Sequence, residues 1–192
     1  MRYVSLMKAL LGLHNRIVAA FVLLFLSCLP LSAQTAKLDA LFAELLTADD
    51  AAAQRVEADI WLEWSKSGSP AMDLLLQRGR DAMANGQPEI AIEHLTALID
   101  HAPDFAEGWN ARATAYYQTG DFGPSIADIG HVLTLNPRHF GALSGLGSIF
   151  EELEKPAQAL EVYKAALAIH PHASGVNEAV QRLEAQLQGS DL

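Results

Sequence analysis

Few places in this 192-residue chain bring together residue types that do chemistry. His170-Pro171-His172 sets two imidazoles either side of a proline, enough for two positions of a zinc site, but the neighbouring sequence supplies no obvious third ligand. Glu93-His94 and Glu151-Glu152 offer acids and a base. Neither extends into the His-Glu-x-x-His pattern that puts two ligands and a general base on one helix face. Gly145-Leu146-Gly147-Ser148 places a serine near glycines without the Gly-x-Ser-x-Gly elbow that exposes a nucleophile. No Gly-Lys-Ser or Gly-Lys-Thr occurs, so no phosphate loop is present. A hydrolase drawing on Glu151, His170 and His172 is a remote alternative. The expectation is a protein that is not an enzyme, with no cofactor, no metal and no small-molecule substrate.

Charge narrows the classes further. The chain carries 13 basic and 23 acidic residues, a net charge of -10, and is 51% hydrophobic and 19% charged. Nucleic acid and anionic lipid headgroups are bound mainly by Lys and Arg neutralising phosphate, and this surface repels them. Arg2, Lys8 and Arg16 lead into the apolar run from Ile17 to Leu29, and Leu31-Ser32-Ala33 precedes Gln34. That is the tripartite order of a secretory signal peptide, with cleavage expected after Ala33 and a periplasmic product. An uncleaved inner-membrane anchor is the alternative. Cleavage would remove the single cysteine, Cys28, together with those three basic residues, leaving 10 basic against 23 acidic and a net of -13.

The elements that position everything else repeat. Pro103, Pro137 and Pro171 stand 34 residues apart, and so do Gly79, Ala113 and Gly147; Leu75, Trp109 and Leu143; and Ala82, Tyr116 and Phe150. A second set follows in Ala91, Ser125 and Ala159, then Leu95, Ile129 and Tyr163, then Leu98, Val132 and Ala166. Within each unit apolar residues fall three and four apart, the spacing of helices, so each unit is two helices. Asn85-Gly86 and Thr119-Gly120-Asp121 supply turn chemistry between them, whereas Leu153-Glu154-Lys155 lacks the glycine. Pro88, Pro156 and Ser69-Pro70 suit helix starts.

These columns, and above all the run Glu107-Gly108-Trp109-Asn110-Ala111-Arg112-Ala113-Thr114-Ala115-Tyr116-Tyr117-Gln118-Thr119-Gly120-Asp121-Phe122, resemble the tetratricopeptide repeat. The resemblance implies an all-α, right-handed α-α superhelix of helix-turn-helix units at 72–105, 106–139 and 140–173, within 70–173. It also implies a concave face lined by the first helix of each unit. Position by position that face presents Leu76, Arg80 and Met83, then Asn110, Thr114 and Tyr117, then Ser144, Ser148 and Glu151, with Asp73, Glu107 and Glu152 beside them. Such a groove fits a protein or peptide segment, and its acidic end favours a basic one. The family's clamp for a terminal carboxylate is not expected, because Leu76, Ala111, Gly141 and Gly145 fill most of its positions and leave Arg80 as the cation.

The flanks read as caps. Val176, Val180, Leu183 and Leu187 give residues 174–192 a capping helix and a short tail. Residues 34–69 hold two helices, Leu38 to Leu46 and Asp49 to Ser65, with Ile60, Trp61 and Trp64 able to cover the first repeat. The leading function is a periplasmic adaptor or scaffold. A structural or self-associating module using Trp61 and Trp64 is the alternative, and sequence leaves the oligomeric state open.

Overall fold

A computed structural model describes residues 35–190, so the leader, Cys28 and the cleavage site lie outside the described residues, as do residues 191–192. The chain divides into two units, Met1–Ala40 and Leu41–Leu192. Of the first, residues 35–40 are described and are helical. The second is helical throughout its regular structure: the part of α1 at residues 41–45, a helix described over 35–45, then α2 (Asp50–Trp64), α3 (Pro70–Ala84), α4 (Pro88–His101), α5 (Ala106–Thr119), α6 (Phe122–Leu135), α7 (Phe140–Glu152), α8 (Pro156–Ile169) and α9 (Ser174–Ser190). Helices α3–α4, α5–α6 and α7–α8 are the three repeats, an all-α arrangement of the kind the columns imply.

Packing explains the columns. A Cβ added at Gly79 would sit 2.6 Å from the Leu95 Cγ, and one at Gly147 would strike the Tyr163 ring, so glycine lets the paired helices approach until the large side chain fills the contact. The middle repeat uses Ala113, and there Ser125 does more than stay small. Its buried Oγ donates to the Ala113 carbonyl at 2.8 Å, which satisfies a hydroxyl that burial would otherwise leave costly.

The turns repeat as closely as the helices. Gly86, Gly120 and Glu154 all take left-handed backbone, with φ of 70°, 78° and 56°. In each case the following N–H reaches back across the helix end: Gln87 to the Ala82 carbonyl, Asp121 to Tyr116 and Lys155 to Phe150, at 2.8–2.9 Å. This is a glycine-type helix stop at a 34-residue period, and the third turn keeps its geometry without the glycine. Pro88 and Pro156 open α4 and α8 as expected. Ser69 stands at the N-cap of α3 but makes no side-chain cap bond; instead Asp73 accepts from the Ser67 backbone N–H at 2.8 Å and its hydroxyl at 2.5 Å.

At the far end α9 lays Val176, Ala179, Val180 and Leu183 against Ala159, Tyr163 and Leu160 of α8, and stays helical to Ser190. The N-terminal helices differ from expectation. Rather than covering the first repeat, Trp61 and Trp64 turn to the third. Trp64 stacks on His139 with ring centres 4.1 Å apart, and both indoles pack edge-on or tilted against Phe140. The sequence pattern identifies an apolar helix face there but not its target.

Candidate binding groove

The open channel lies between α5 and α7. Asn110, Thr114 and Tyr117, one helical turn apart on α5, face Gly141, Gly145 and Ser148 on α7 across a cavity of about 110 Å³, with Ala113, Ile129 and Ile149 as its floor. The small residues on α7 make the space, and the large Ile129 and Ile149 below give it an apolar base. Its rim is rich in acceptors. The hydroxyls of Thr114 and Ser144 donate to their own helix carbonyls at Asn110 and Phe140, which leaves their oxygens able to accept, whereas the Ser148 hydroxyl lies 3.1 Å from the Tyr163 hydroxyl as well as 3.2 Å from the Ser144 carbonyl. The Asn110 amide N–H₂ points at the Glu107 carboxylate, at 3.3 and 3.4 Å, which leaves its carbonyl oxygen to accept as well.

Tyr117 supplies the aromatic wall. Its hydroxyl is held above the usual phenol value, first by burial and then by the charge and hydrogen bond of Glu152. It therefore stays a neutral donor aimed at an exposed carboxylate.

Five of the nine groove residues expected from sequence line this channel or the cleft that adjoins it: Asn110, Thr114, Tyr117 and Ser148 in the channel, Ser144 and again Ser148 beside it. The other four are placed elsewhere. Leu76 is 2% exposed in the core shared by α3, α4 and α5, and Met83 packs against the same core. Arg80 is engaged internally, its guanidinium donating to the Ser65 hydroxyl at 3.0 Å and to the buried Glu107 carboxylate at 2.5 Å. Glu151 is drawn to the C-terminal helix, where Arg182 meets both its oxygens at 2.6 and 3.1 Å and the Tyr163 hydroxyl donates at 2.9 Å. The Arg182 bond holds the Glu151 carboxyl below the ordinary glutamate value. The acidic end of the groove is thereby reduced to Glu152.

Sequence reasoning missed two buried polar networks. In one, His139 accepts the Ala142 N–H on Nδ1 at 3.0 Å, capping α7, so its proton sits on Nε2 and is donated to Glu107 at 3.0 Å. Glu107 thus joins α3 to the start of α7, through Arg80 on one side and His139 on the other. In the second, Arg112 meets Asp128 through two bonds of 2.8 and 2.9 Å and donates to Thr96 at 3.0 Å, which ties α5 to α6 and α4. Each pair is charge-complementary, but the partners lie 16 to 32 residues apart, and only the repeat register brings them together. Trp109 serves packing, as its column implies: it stacks on His131, and its N–H donates to the Pro103 carbonyl at 2.8 Å.

The histidines of the Pro171 turn pair with α2: His170 with Glu57 at 3.1 Å and His172 with Asp50 at 2.9 Å. Together with Gln54 and Trp61 of α2 and with Gly141 and Ser144 of α7 they border a second, open cleft of about 470 Å³. Among the described residues no group of three or more His, Cys, Asp or Glu is arranged to hold a metal, and no helix is long and apolar enough to cross a membrane.

Comparison with known proteins places these features. A family model described as tetratricopeptide repeat matches residues 76–130 and 111–174. A TPR repeat-containing protein of Rhizobium etli is 36% identical over 155 residues, covering 80% of this chain and 76% of that protein. A small glutamine-rich tetratricopeptide repeat-containing protein of Saccharomyces cerevisiae is 32% identical over 130 residues, 68% of this chain but 37% of its own length. Among solved structures, the first TPR of Spaghetti bound to an HSP90 peptide superposes with a TM-score of 0.58 at 22% identity, covering 61% of this chain and 95% of that one. MamA superposes with a TM-score of 0.58 at 19% identity, covering 76% and 83%. At those identities the structural likeness speaks for the fold.

Proposed function

Since this chain belongs to the tetratricopeptide-repeat family, we propose that it is a non-catalytic adaptor whose α5–α7 channel holds an extended segment of another protein. The observation that carries this reading is the channel itself, with an apolar floor, an acceptor-rich rim and one aromatic wall at Tyr117. Peptide ligands in solved relatives, such as the HSP90 peptide on Spaghetti and an Hsp70 complex of yeast Sti1, support a peptide as the class of partner. The rim favours a donor-rich segment, Lys- or Arg-bearing, because the Thr114 and Ser144 oxygens, the Asn110 carbonyl and Glu152 accept and the Tyr117 hydroxyl is turned to Glu152. Arg80 is committed to Glu107, so a terminal carboxylate finds no cation free at that position.

The finer part of the proposal is location. Three basic residues, an apolar run and Leu31-Ser32-Ala33 support export with removal of the leader, and the adaptor would then act in the periplasm. Cell fractionation with N-terminal sequencing checks it: a soluble envelope protein beginning at Gln34 agrees, and a cytoplasmic protein retaining Met1 does not. The binding proposal is tested by a photoreactive residue at Tyr117, compared with one at Gly130, an exposed position of α6 that does not line the channel.

A further inference from the structure

We propose that α2 is a removable occupant of the third-repeat end of the groove, and that the surface beneath it docks a partner helix carrying two aromatic rings three residues apart and carboxylates one and three turns earlier. The inference concerns a second surface and stands whether or not the α5–α7 channel binds a segment.

The seat is shaped for a ring. A Cβ at Gly141 would lie 2.5 Å from Trp61, so only glycine at that point of α7 admits the indole. One turn on, Trp64 stacks on His139 and tilts against Phe140. The charges match as well: α2 brings Glu57 and Asp50 on the same face as its tryptophans, and the turn after α8 answers with His170 and His172. A helix presenting Asp, Glu, Trp and Trp at relative positions 1, 8, 12 and 15 is therefore what this surface recognises.

Two observations distinguish this contact from the core of the repeats. Trp64 Nε1 and His170 Nδ1 are buried with no hydrogen-bond partner among the described residues, and both belong to this contact, so closing it leaves desolvated polar atoms uncompensated. The α2–α3 connection, Ser65-Lys66-Ser67-Gly68-Ser69, is polar and turns at Gly68 with φ of 81°. α2 also buries Ala53, Val56 and Ile60, so its release exposes these side chains along with the rings, and the unpaired polar atoms and the polar connection offset part of that cost.

The test uses the full chain and a fluorescent peptide of residues 49–66 as the probe. Trp61→Ala with Trp64→Ala weakens the internal occupant and leaves the seat intact, so the probe is expected to bind this variant at least tenfold tighter than the wild type. Adding Gly141→Leu should then abolish the gain. Amide exchange on the wild type gives an independent reading, with α2 exchanging at least tenfold faster than the cores of α3–α9. Equal probe binding by variant and wild type overturns the proposal, and so does exchange of α2 in step with the repeats, which would make it part of one core. A concentration-dependent wild-type dimer in light scattering that Gly141→Leu abolishes would put a second copy's α2 in the seat and overturn the partner-helix reading.

Discussion

Glu154 holds a backbone conformation, φ 56°, that Gly86 and Gly120 hold in the two preceding turns. An L side chain in the left-handed region is strained by its Cβ against the neighbouring carbonyl, and glycine is not. Glu154→Gly should therefore stabilise the fold by about 0.5–1 kcal/mol after the added freedom of the unfolded chain is subtracted, read as a raised denaturation midpoint. An unchanged or lowered midpoint would mean that the Glu154 side chain contributes enough to offset its strain. Tyr163 gives a second residue-level prediction. Burial pushes its hydroxyl from 10.0 up to about 12, opposed first by the Ser148 hydrogen bond and last by Arg182, and supported by the hydrogen bond and charge of the Glu151 carboxylate. The folded state thus resists losing this proton more than the unfolded state does. The stability involved is fully present below pH 10 and is lost as pH rises from 10 towards 12. Replacement by Phe should flatten that segment of a stability-against-pH curve, and an equally steep loss in the variant would assign it to other groups.

At the scale of helices, the repeat was legible in the sequence because its packing is periodic and local. Gly79 meets Leu95, Gly147 meets Tyr163, and Gly86 or Gly120 ends a helix, all within one unit of 34 residues. Glycines in the same helices without such a neighbour do not share the role. Gly147→Ala should cost about 1–3 kcal/mol through overlap with the Tyr163 ring, although alanine is the better helix former. Gly130→Ala, in α6 with no atom within 4 Å of the added Cβ, should stabilise by about 0.5–1 kcal/mol. Chemical denaturation of the two variants checks the contrast, and the same sign in both would refute the packing account of the small-residue column. What could not be read was contact between units far apart in sequence. Glu57 meets His170 across 113 residues and Glu107 meets His139 across 32, and no periodicity encodes either pairing. The same limit explains Arg80: position alone put it on the groove, and a carboxylate from the next repeat takes it up.

Across the whole molecule, the groove divides into three stretches. The first-repeat stretch is closed by core packing of Leu76 and Met83 and by the Arg80–Glu107 pair. The third-repeat stretch is overlain by α2 through Trp61 and Trp64. The middle stretch, between α5 and α7, stays open, and four of the residues read from sequence meet there. An acidic chain whose α5–α7 channel presents acceptors fits the donor-rich polypeptide proposed above better than it fits nucleic acid. The most direct test places a photoreactive amino acid at Tyr117 in the full-length protein inside cells, with Gly130 as the control position, and identifies what is captured. The account predicts a discrete protein adduct at Tyr117 that is absent at Gly130 and whose captured segment carries Lys or Arg. Equal capture at both positions, or none at Tyr117, would contradict it.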